Sequence, residues 1–163
     1  MKNPDYIQSK IFSLPALVQQ MTRWEFLGKK TVFTNGCFDI LHQGHIYSLS
    51  SAAKEADILI VGVNADASVR KLKGQNRPIN NQASRSLLLA SLVMVDAVVI
   101  FEEDTPLEII SALLPDVLVK GGDYTLEQIV GAKEVMANGG RVVINPIVEG
   151  FSTSAIIEKV EGV

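Results

Sequence analysis

Hydrophobic and polar positions follow two different periods along this chain. Five short apolar runs are typical of strands buried on both faces of a parallel sheet; they cover residues 31–34, 57–63, 96–101, 117–120 and 141–145. Elsewhere apolar residues recur at helical spacing; these segments cover residues 13–27, 44–56, 66–72, 82–93, 106–114, 126–138 and 153–160. The pattern therefore predicts strands and helices in alternation, with a polar loop at residues 74–81.

This alternation predicts an α/β fold: a Rossmann-like, open, mostly parallel five-stranded sheet with helices on both faces. Such sheets bind ligands outside the carboxyl ends of their strands, near the point where the strand order reverses. A length of 163 residues suits a single domain. Within it we expect residues 1–29 to form an N-terminal helical extension and residues 30–163 to form the main domain.

Composition and charge narrow the class of protein. The formal net charge of −3 gives no overall attraction to nucleic acid or to anionic membranes. The longest uncharged apolar-rich stretch, residues 87–95, is far shorter than the ~20 residues that cross a bilayer. The single cysteine, Cys37, excludes an intramolecular disulfide and a multi-cysteine zinc site. The N-terminus lacks the pattern of a signal peptide, so we expect a cytoplasmic protein.

Both histidines of the chain fall in one motif after the first predicted strand, His42-Gln43-Gly44-His45. Their i, i+3 spacing at a helix start places the two imidazoles on one face. The free N–H groups and partial positive charge of a helix start attract phosphate. Gly44 has no Cβ, which lets a phosphate approach the backbone. The motif therefore predicts a phosphate site at the carboxyl end of this strand.

A structural role or a zinc site would account for the histidine motif less well. His42 and His45 could be ordinary turn and cap residues, but this is less favoured because both histidines of the chain occur here. A zinc site is disfavoured because the spacing is not i, i+4 and no third ligand follows. The sequence contains neither G-x-x-x-x-G-K-[ST] nor G-x-G-x-x-G, so these phosphate-binding motifs are excluded.

From residue 30 onward the sequence resembles the cytidylyltransferase-like nucleotidylyltransferases, whose signature G-C-F-D-x-L-H-x-G-H matches residues 36–45. Further segments resemble one branch of that family, the D-glycero-β-D-manno-heptose 1-phosphate adenylyltransferases; they are residues 34–39, 64–74, 77–79, 95–96, 101–106, 115–124 and 149–154. Many bacteria carry this activity fused behind a sugar kinase domain. No kinase segment occurs in this sequence, so the expected form is the stand-alone one, with residues 30–163 as the nucleotidylyltransferase domain.

The resemblance implies roles for individual residues. His42, His45 and Lys73 are expected to be catalytic, the imidazoles stabilising charge at the α-phosphorus of ATP as pyrophosphate leaves. The residues implied to bind the nucleotide are Thr34, Asn35, Gly36, Phe38, Gly44, Gly122, Asp123, Ser152 and Thr153. The residues implied to bind the phosphorylated acceptor are Asp39, Lys71 and Arg85. The implied cofactor is Mg²⁺ carried by ATP, with no metal ligand assigned to the protein, and the implied assembly is a homodimer.

The expected reaction transfers AMP from ATP to D-glycero-β-D-manno-heptose 1-phosphate and gives ADP-heptose and pyrophosphate. The acceptor is already a phosphate anion at neutral pH, so the transfer needs cations and N–H donors more than a strong base. We therefore expect ATP and a phosphorylated sugar as the partners, and neither nucleic acid nor membrane.

Two other functions remain open. One is a glycerol-3-phosphate-type cytidylyltransferase; against it, residues 147–149 lack the basic residue that precedes the corresponding segment of those enzymes. The other is a catalytically silent nucleotide-binding protein, which the intact histidine motif argues against. Several site residues also have ordinary alternatives: solvated surface charges for Lys71 and Lys73, pairing with an acidic neighbour for Arg85, a turn for Asp123, and a helix cap for Ser152 and Thr153.

Overall fold

The computed structural model describes residues 5–146 and 150–161, without the side chains of Ala155, Glu158 and Glu161. The strands are β1 (Ile11–Phe12), β2 (Thr31–Gly36), β3 (Ile58–Asn64), β4 (Ala97–Phe101), β5 (Val117–Gly121) and β6 (Arg141–Asn145). The helices are α1 (Asp5–Gln8), α2 (Leu14–Phe26), α3 (Gln43–Ala53), α4 (Asp66–Lys73), α5 (Gln82–Ala90), α6 (Leu107–Leu113), α7 (Ala132–Ala137) and α8 (Thr153–Glu161). Residues 147–149, where the cytidylyltransferase alternative expects a basic residue, lie outside the described residues.

The described strands form one parallel sheet in the order β1-β4-β3-β2-β5-β6. This confirms the Rossmann-like α/β class and all five strands expected from the apolar runs. The expected number of strands was wrong, because the sheet has six. The additional strand, β1, is two residues long and pairs Ile11 with Val98 of β4. Two residues are too few to show a period, so this strand is defined by its partner and not by its own sequence.

Helices cover both faces of the sheet, as predicted. On one face, α2, α6 and α7 pack on the alternate strand residues that include Phe33, Ile60 and Leu118. On the other face, α3 and α5 pack on the intervening residues, which include Val32 and Val61. Each strand therefore buries both of its faces, which explains why the strands are almost continuously apolar. No described helix is long and apolar enough to cross a membrane.

One predicted helix, at residues 126–138, is divided in two. A 3₁₀ turn covers Leu126–Gln128, and α7 begins after Gly131, whose φ of 86° is left-handed. A Cβ at Gly131 would lie 2.7 Å from side-chain atoms of Ile110 on α6. The helix is therefore interrupted where the backbone approaches α6 too closely for any other residue, a contact that helical spacing does not reveal.

The order of the strands reverses beside β2. The chain passes from β2 to β3 and β4 on one side, and then crosses to β5 and β6 on the other. β2 pairs with β3 along its whole length, whereas its pairing with β5 ends at Phe33 and Leu118, three residues before either strand ends. The two strands thus separate towards their carboxyl ends, which opens a crevice of the kind in which α/β sheets bind ligands.

Adjacent residues on α2 test how firmly the N-terminal segment belongs to the core. Leu17 is 0% exposed, whereas Val18 is 37% exposed. We expect Leu17→Ala to lower the free energy of unfolding by about 2–5 kcal/mol, because it leaves a cavity against the sheet. Val18→Ala should have a much smaller effect in the same urea titration. Equal, small effects of both substitutions would show that α2 packs only loosely.

Candidate active site

The backbone makes a strained turn at the end of β2. Phe38 has a φ of 49°, which is unusual for a bulky residue. Its buried side chain lies 5.3 Å from the ring of His45 between centroids. A Cβ at Gly36 would lie 3.1 Å from the Phe38 ring, so a larger residue would crowd this turn. The turn therefore packs an aromatic ring beneath the histidine motif.

The two imidazoles stack at the start of α3. Their ring centroids are 3.8 Å apart and their planes differ by 27°. The backbone N–H of His42, the N-cap residue, donates to Nδ1 of His45 at 3.4 Å. Since Nδ1 accepts this bond, the proton of a neutral His45 ring lies on Nε2, which can donate to a ligand. Nδ1 of His42 is buried and has no hydrogen-bond partner among the described residues.

Both histidines are neutral at pH 7. Burial, and secondarily the charge of His42, lowers the pKa of His45 to about 4. Burial also lowers the pKa of His42. The empty site therefore offers N–H donors without positive charge, and nearby phosphate charges would raise both pKa values by favouring the protonated rings.

A second helix begins beside the histidines. Thr153 at the start of α8 donates its hydroxyl to the carbonyl of Ile40 at 3.4 Å, which ties α8 to the loop before α3. A Cβ at Gly44 would lie 3.0 Å from Nδ1 of His42 and 3.1 Å from Cβ of Phe151. Glycine therefore lets the starts of α3 and α8 come together. The two starts together provide free N–H groups for a phosphate chain.

A buried carboxylate holds the loop that carries this motif. Asp39 is 2% exposed and accepts from the backbone N–H groups of Ile79 (3.0 Å) and Asn80 (2.9 Å), and from the Arg77 guanidinium. Burial by itself raises the pKa of Asp39, but these hydrogen bonds and the Arg77 charge outweigh it and lower the pKa below its usual value. The 74–81 loop is thus fixed to the loop before α3.

Arg85 lies beside this network and is 0% exposed. Its guanidinium donates to the carbonyls of Cys37 and Asn80 and to the Asp66 carboxylate, the last at 2.7 Å. Both Arg85 and Asp39, predicted to bind the acceptor, have their polar atoms engaged within the protein in this structure. Their direct contact with an acceptor stays a prediction, whereas their support of the surrounding loops is evident from these bonds.

The crevice between β2 and β5 contains a cavity of about 430 Å³. The polar and small residues on its walls include Asn35, Gly36, Cys37, Lys73, Lys120 and Tyr124. Within the described residues, these walls do not include His42 or His45. Lys71 points elsewhere and forms an exposed ion pair with Asp104 at 2.8 Å. The structure thus brings Lys73 to the cavity together with Asn35 and Gly36 of β2.

Lys120 was not predicted as a site residue. It lies one residue before the end of β5, is half-buried in the cavity, and has its pKa lowered by burial. The available signal was a lysine at the end of an apolar strand, where ligands bind in this class of fold. Its burial depends on the separation of β2 from β5, which the local sequence does not show.

The remaining predicted nucleotide-binding residues lie at the same edge of the sheet. Thr34 is buried on β2. Gly122 turns the chain after β5 with a φ of 125°, and its N–H donates to the carbonyl of Asn145 at 3.0 Å. Asp123 follows on the exposed side of that turn. Within the described ranges, no group of three or more His, Cys, Asp or Glu residues is arranged to hold a metal ion.

The fold and the phosphate-binding character of the site define a nucleotide-binding α/β domain. Residues 33–159 match the cytidylyltransferase-like family. The chain therefore belongs to that family of nucleotidyltransferases.

Several named bacterial proteins are similar to this chain. It is 54% identical over 151 residues to the bifunctional protein HldE of Hyphomonas neptunium, and 53% identical over 152 residues to that of Citrifermentans bemidjiense. Each alignment covers 93% of this chain but 31% of the relative, so the chain spans about a third of their length.

Two solved structures are similar. The lipopolysaccharide core biosynthesis protein from Thermoplasma volcanium is 31% identical, with a TM-score of 0.59 over 74% of this chain and 98% of that one. Pantoate-beta-alanine ligase from Francisella tularensis, solved with an ATP analogue and beta-alanine, is 14% identical, with a TM-score of 0.60 over 94% of this chain and 78% of that one. The second likeness shows the fold alone.

Neutral histidines predict a stability that decreases in acid. The folded state holds the pKa of His45 at about 4, against 6.5 for an unperturbed histidine. The unfolded chain therefore binds more protons between these values, and stability is lost as the pH falls from 6.5 towards 4. We expect His45→Gln to flatten this part of the profile in urea unfolding, while Tyr47→Phe on the exposed side of α3 keeps it. Identical slopes for wild type and His45→Gln would contradict the assignment.

Proposed function

We propose that the chain is an adenylyltransferase, which transfers AMP from ATP to D-glycero-β-D-manno-heptose 1-phosphate and releases pyrophosphate. The observation that carries this proposal is the stacked pair His42 and His45 between the starts of α3 and α8. This arrangement supplies N–H donors to a phosphate chain without a fixed positive charge.

The proposed reaction is a displacement at the α-phosphorus of ATP. An oxygen of the acceptor phosphate forms the new bond, and the bond to the oxygen bridging the α- and β-phosphates breaks. Pyrophosphate leaves with that electron pair. Because the acceptor oxygen is already ionised, the protein must position the reactants and stabilise spread negative charge, which is the main requirement in transfers of this kind.

The histidines and the two helix starts are suited to the departing phosphates. His45 can donate through Nε2, since its Nδ1 already accepts from the His42 amide. Charge that develops on the leaving pyrophosphate favours protonation of both rings, so their donation strengthens as the transition state forms. Ser152 and Thr153 would present the N–H groups at the start of α8 to the β- and γ-phosphates.

The other predicted contacts follow from position in the fold. Lys73 lines the cavity at the end of β2 and would contact the transferring phosphate. Lys71 would have to leave its ion pair with Asp104, which is exposed and therefore weak, to reach a substrate. Gly122 and Asp123, beyond the end of β5, would contact the ribose or base.

Mg²⁺ is the proposed cofactor and would be bound by the oxygens of the triphosphate. Asp39 is not suited to bind it, because its carboxylate already accepts hydrogen bonds from Arg77, Ile79 and Asn80. When bound to ATP, Mg²⁺ neutralises part of the charge on the phosphates and typically keeps several waters, so it needs few protein ligands.

The choice of acceptor rests on the relatives. Proteins named HldE share more than half of their aligned residues with this chain, and the similar structure at 31% identity belongs to a lipopolysaccharide core biosynthesis protein. These likenesses, with the segments that resemble heptose 1-phosphate adenylyltransferases, favour a phosphorylated heptose. A single functional domain, a cytoplasmic location and a homodimer belong to the same proposal, and size-exclusion chromatography with light scattering would test the dimer.

The histidine pair can be tested by kinetics. His42→Ala and His45→Ala should each lower kcat by about 10²–10³-fold, the range observed when a donor to developing negative charge is removed. The midpoint of thermal unfolding should remain near that of the wild type. Tyr47→Ala, an exposed change on the same helix, is the matched control. Near-normal turnover in both histidine variants would eliminate the proposed mechanism.

The substrates can be tested by a screen of donors against acceptors. Wild-type protein with Mg²⁺ should release pyrophosphate from ATP with D-glycero-β-D-manno-heptose 1-phosphate much faster than from CTP with glycerol 3-phosphate. Reactions without acceptor provide the background. Faster release from the second pair would favour the cytidylyltransferase, and no release from any pair would favour a silent nucleotide-binding protein.

A further inference from the structure

Lys120 differs from the other withdrawn lysine of the described chain in having no obvious protein partner. Lys10 is 9% exposed, and its ammonium donates to the carbonyls of Val95 at 2.7 Å and Leu92 at 3.4 Å. The Lys120 ammonium lies 5.8 Å from the centre of the Tyr124 ring. Among the described residues, no carboxylate lies within ion-pair distance of it.

A partly desolvated charge without a partner is costly, and the cost is recovered when an anion binds. Lys120 therefore indicates an anionic ligand in the cavity where its side chain lies. The cavity contains a second ammonium, Lys73. The carboxylate on its wall, Asp104, is already paired with Lys71 at 2.8 Å. The cavity thus retains an excess of positive charge.

The side of the sheet on which Lys120 lies also matters. Successive side chains of a strand point to opposite faces, and Phe33 and Leu118 both belong to the core beneath α2, α6 and α7. Two residues further along, Asn35 and Lys120 point to that same side. The histidines lie on α3, which packs on the other face through residues such as Leu49. The tip of β2 therefore separates the cavity from the histidine pair.

This separation suits an in-line displacement, in which the attacking and departing oxygens lie on opposite sides of the α-phosphorus. If pyrophosphate departs towards the histidines and the starts of α3 and α8, the attacking phosphate must approach from the side of the cavity. Burial raises the pKa of the Cys37 thiol and the Lys73 charge opposes it, which places Lys73 within electrostatic range of that tip.

We propose that the acceptor's phosphate binds in the cavity between Lys73 and Lys120, and that Lys120 selects a phosphorylated acceptor. The neutral groups of Asn35, Tyr124 and Gln128 line the same cavity and suit the hydroxyls of a sugar. Lys120 binds the acceptor and not the nucleotide. This inference rests on the proposed function, because it assigns the attacking group of that reaction.

The first test is a split between the KM values of the two substrates. Lys120→Met should raise the KM for heptose 1-phosphate about 10- to 100-fold, as expected for the loss of one charge-assisted hydrogen bond. The KM for ATP should not change. Lys120→Arg should restore part of the loss because it keeps the charge. Lys133→Met, an exposed change on α7, is the matched control.

The second test does not need turnover. Heptose 1-phosphate and, separately, inorganic phosphate are titrated by calorimetry into the wild type and Lys120→Met, each saturated with a non-hydrolysable ATP analogue. Weaker binding of both probes to the variant, with unchanged affinity for the analogue, supports the assignment even if the wild type transfers no adenylate. A failure of the proposed function would appear as absent transfer by the wild type in the first test.

Two results would overturn the role of Lys120. One is unchanged affinity for both phosphate probes in Lys120→Met, and the other is a loss of affinity for the ATP analogue as large as that for the acceptor. Thermal unfolding separates a folding defect from a binding defect. If Lys120→Met does not fold, Lys120→Gln is judged by the same two measurements.

Discussion

The buried guanidinium of Arg85 is the constraint on which the rest of the site depends. A charge with no exposed surface is tolerated only when its donors are satisfied. Here the acceptors come from three segments: the carbonyl of Cys37 at the tip of β2, the carbonyl of Asn80 in the 74–81 loop, and the carboxylate of Asp66 at the start of α4. Moving any one of these segments would leave a buried charge or carbonyl unpaired. The loop before the histidines and the helix that ends at Lys73 are thereby held in one arrangement.

The sheet then divides the site between two faces. Because the chain leaves β2 in one direction and returns to β5 in the other, these strands have no short connection that would keep them paired to their ends. Their separation opens the cavity beside the tip of β2. The turn at Phe38, with its left-handed φ of 49°, directs the chain towards α3 on the opposite face. A single strand end thus contributes Asn35 to the cavity and leads directly into the histidine motif.

The apolar runs predicted the strands because burial on both faces leaves a signal within each run. The features that were missed depend on contacts distant in sequence. Strand β1 exists through its pairing with β4, and the break at Gly131 reflects contact with Ile110. The site follows the same division: the histidine motif is local and was predicted, whereas the burial of Lys120 requires a crevice between two strands. Arg85 was recognised as a site residue, but its sequence position does not reveal that its partners are protein atoms.

The charges of the two halves differ in a way that suits their roles. His42 and His45 stack at 3.8 Å with little solvent around His45, so two positive rings would repel each other in the empty site, and both remain neutral. They gain charge only as phosphate charge accumulates next to them, which favours the state in which pyrophosphate departs. The acceptor, in contrast, carries its negative charge before the reaction and must approach a triphosphate that repels it. Permanent cations such as Lys73 and Lys120 are needed there, because a group that became charged only late would not overcome that repulsion.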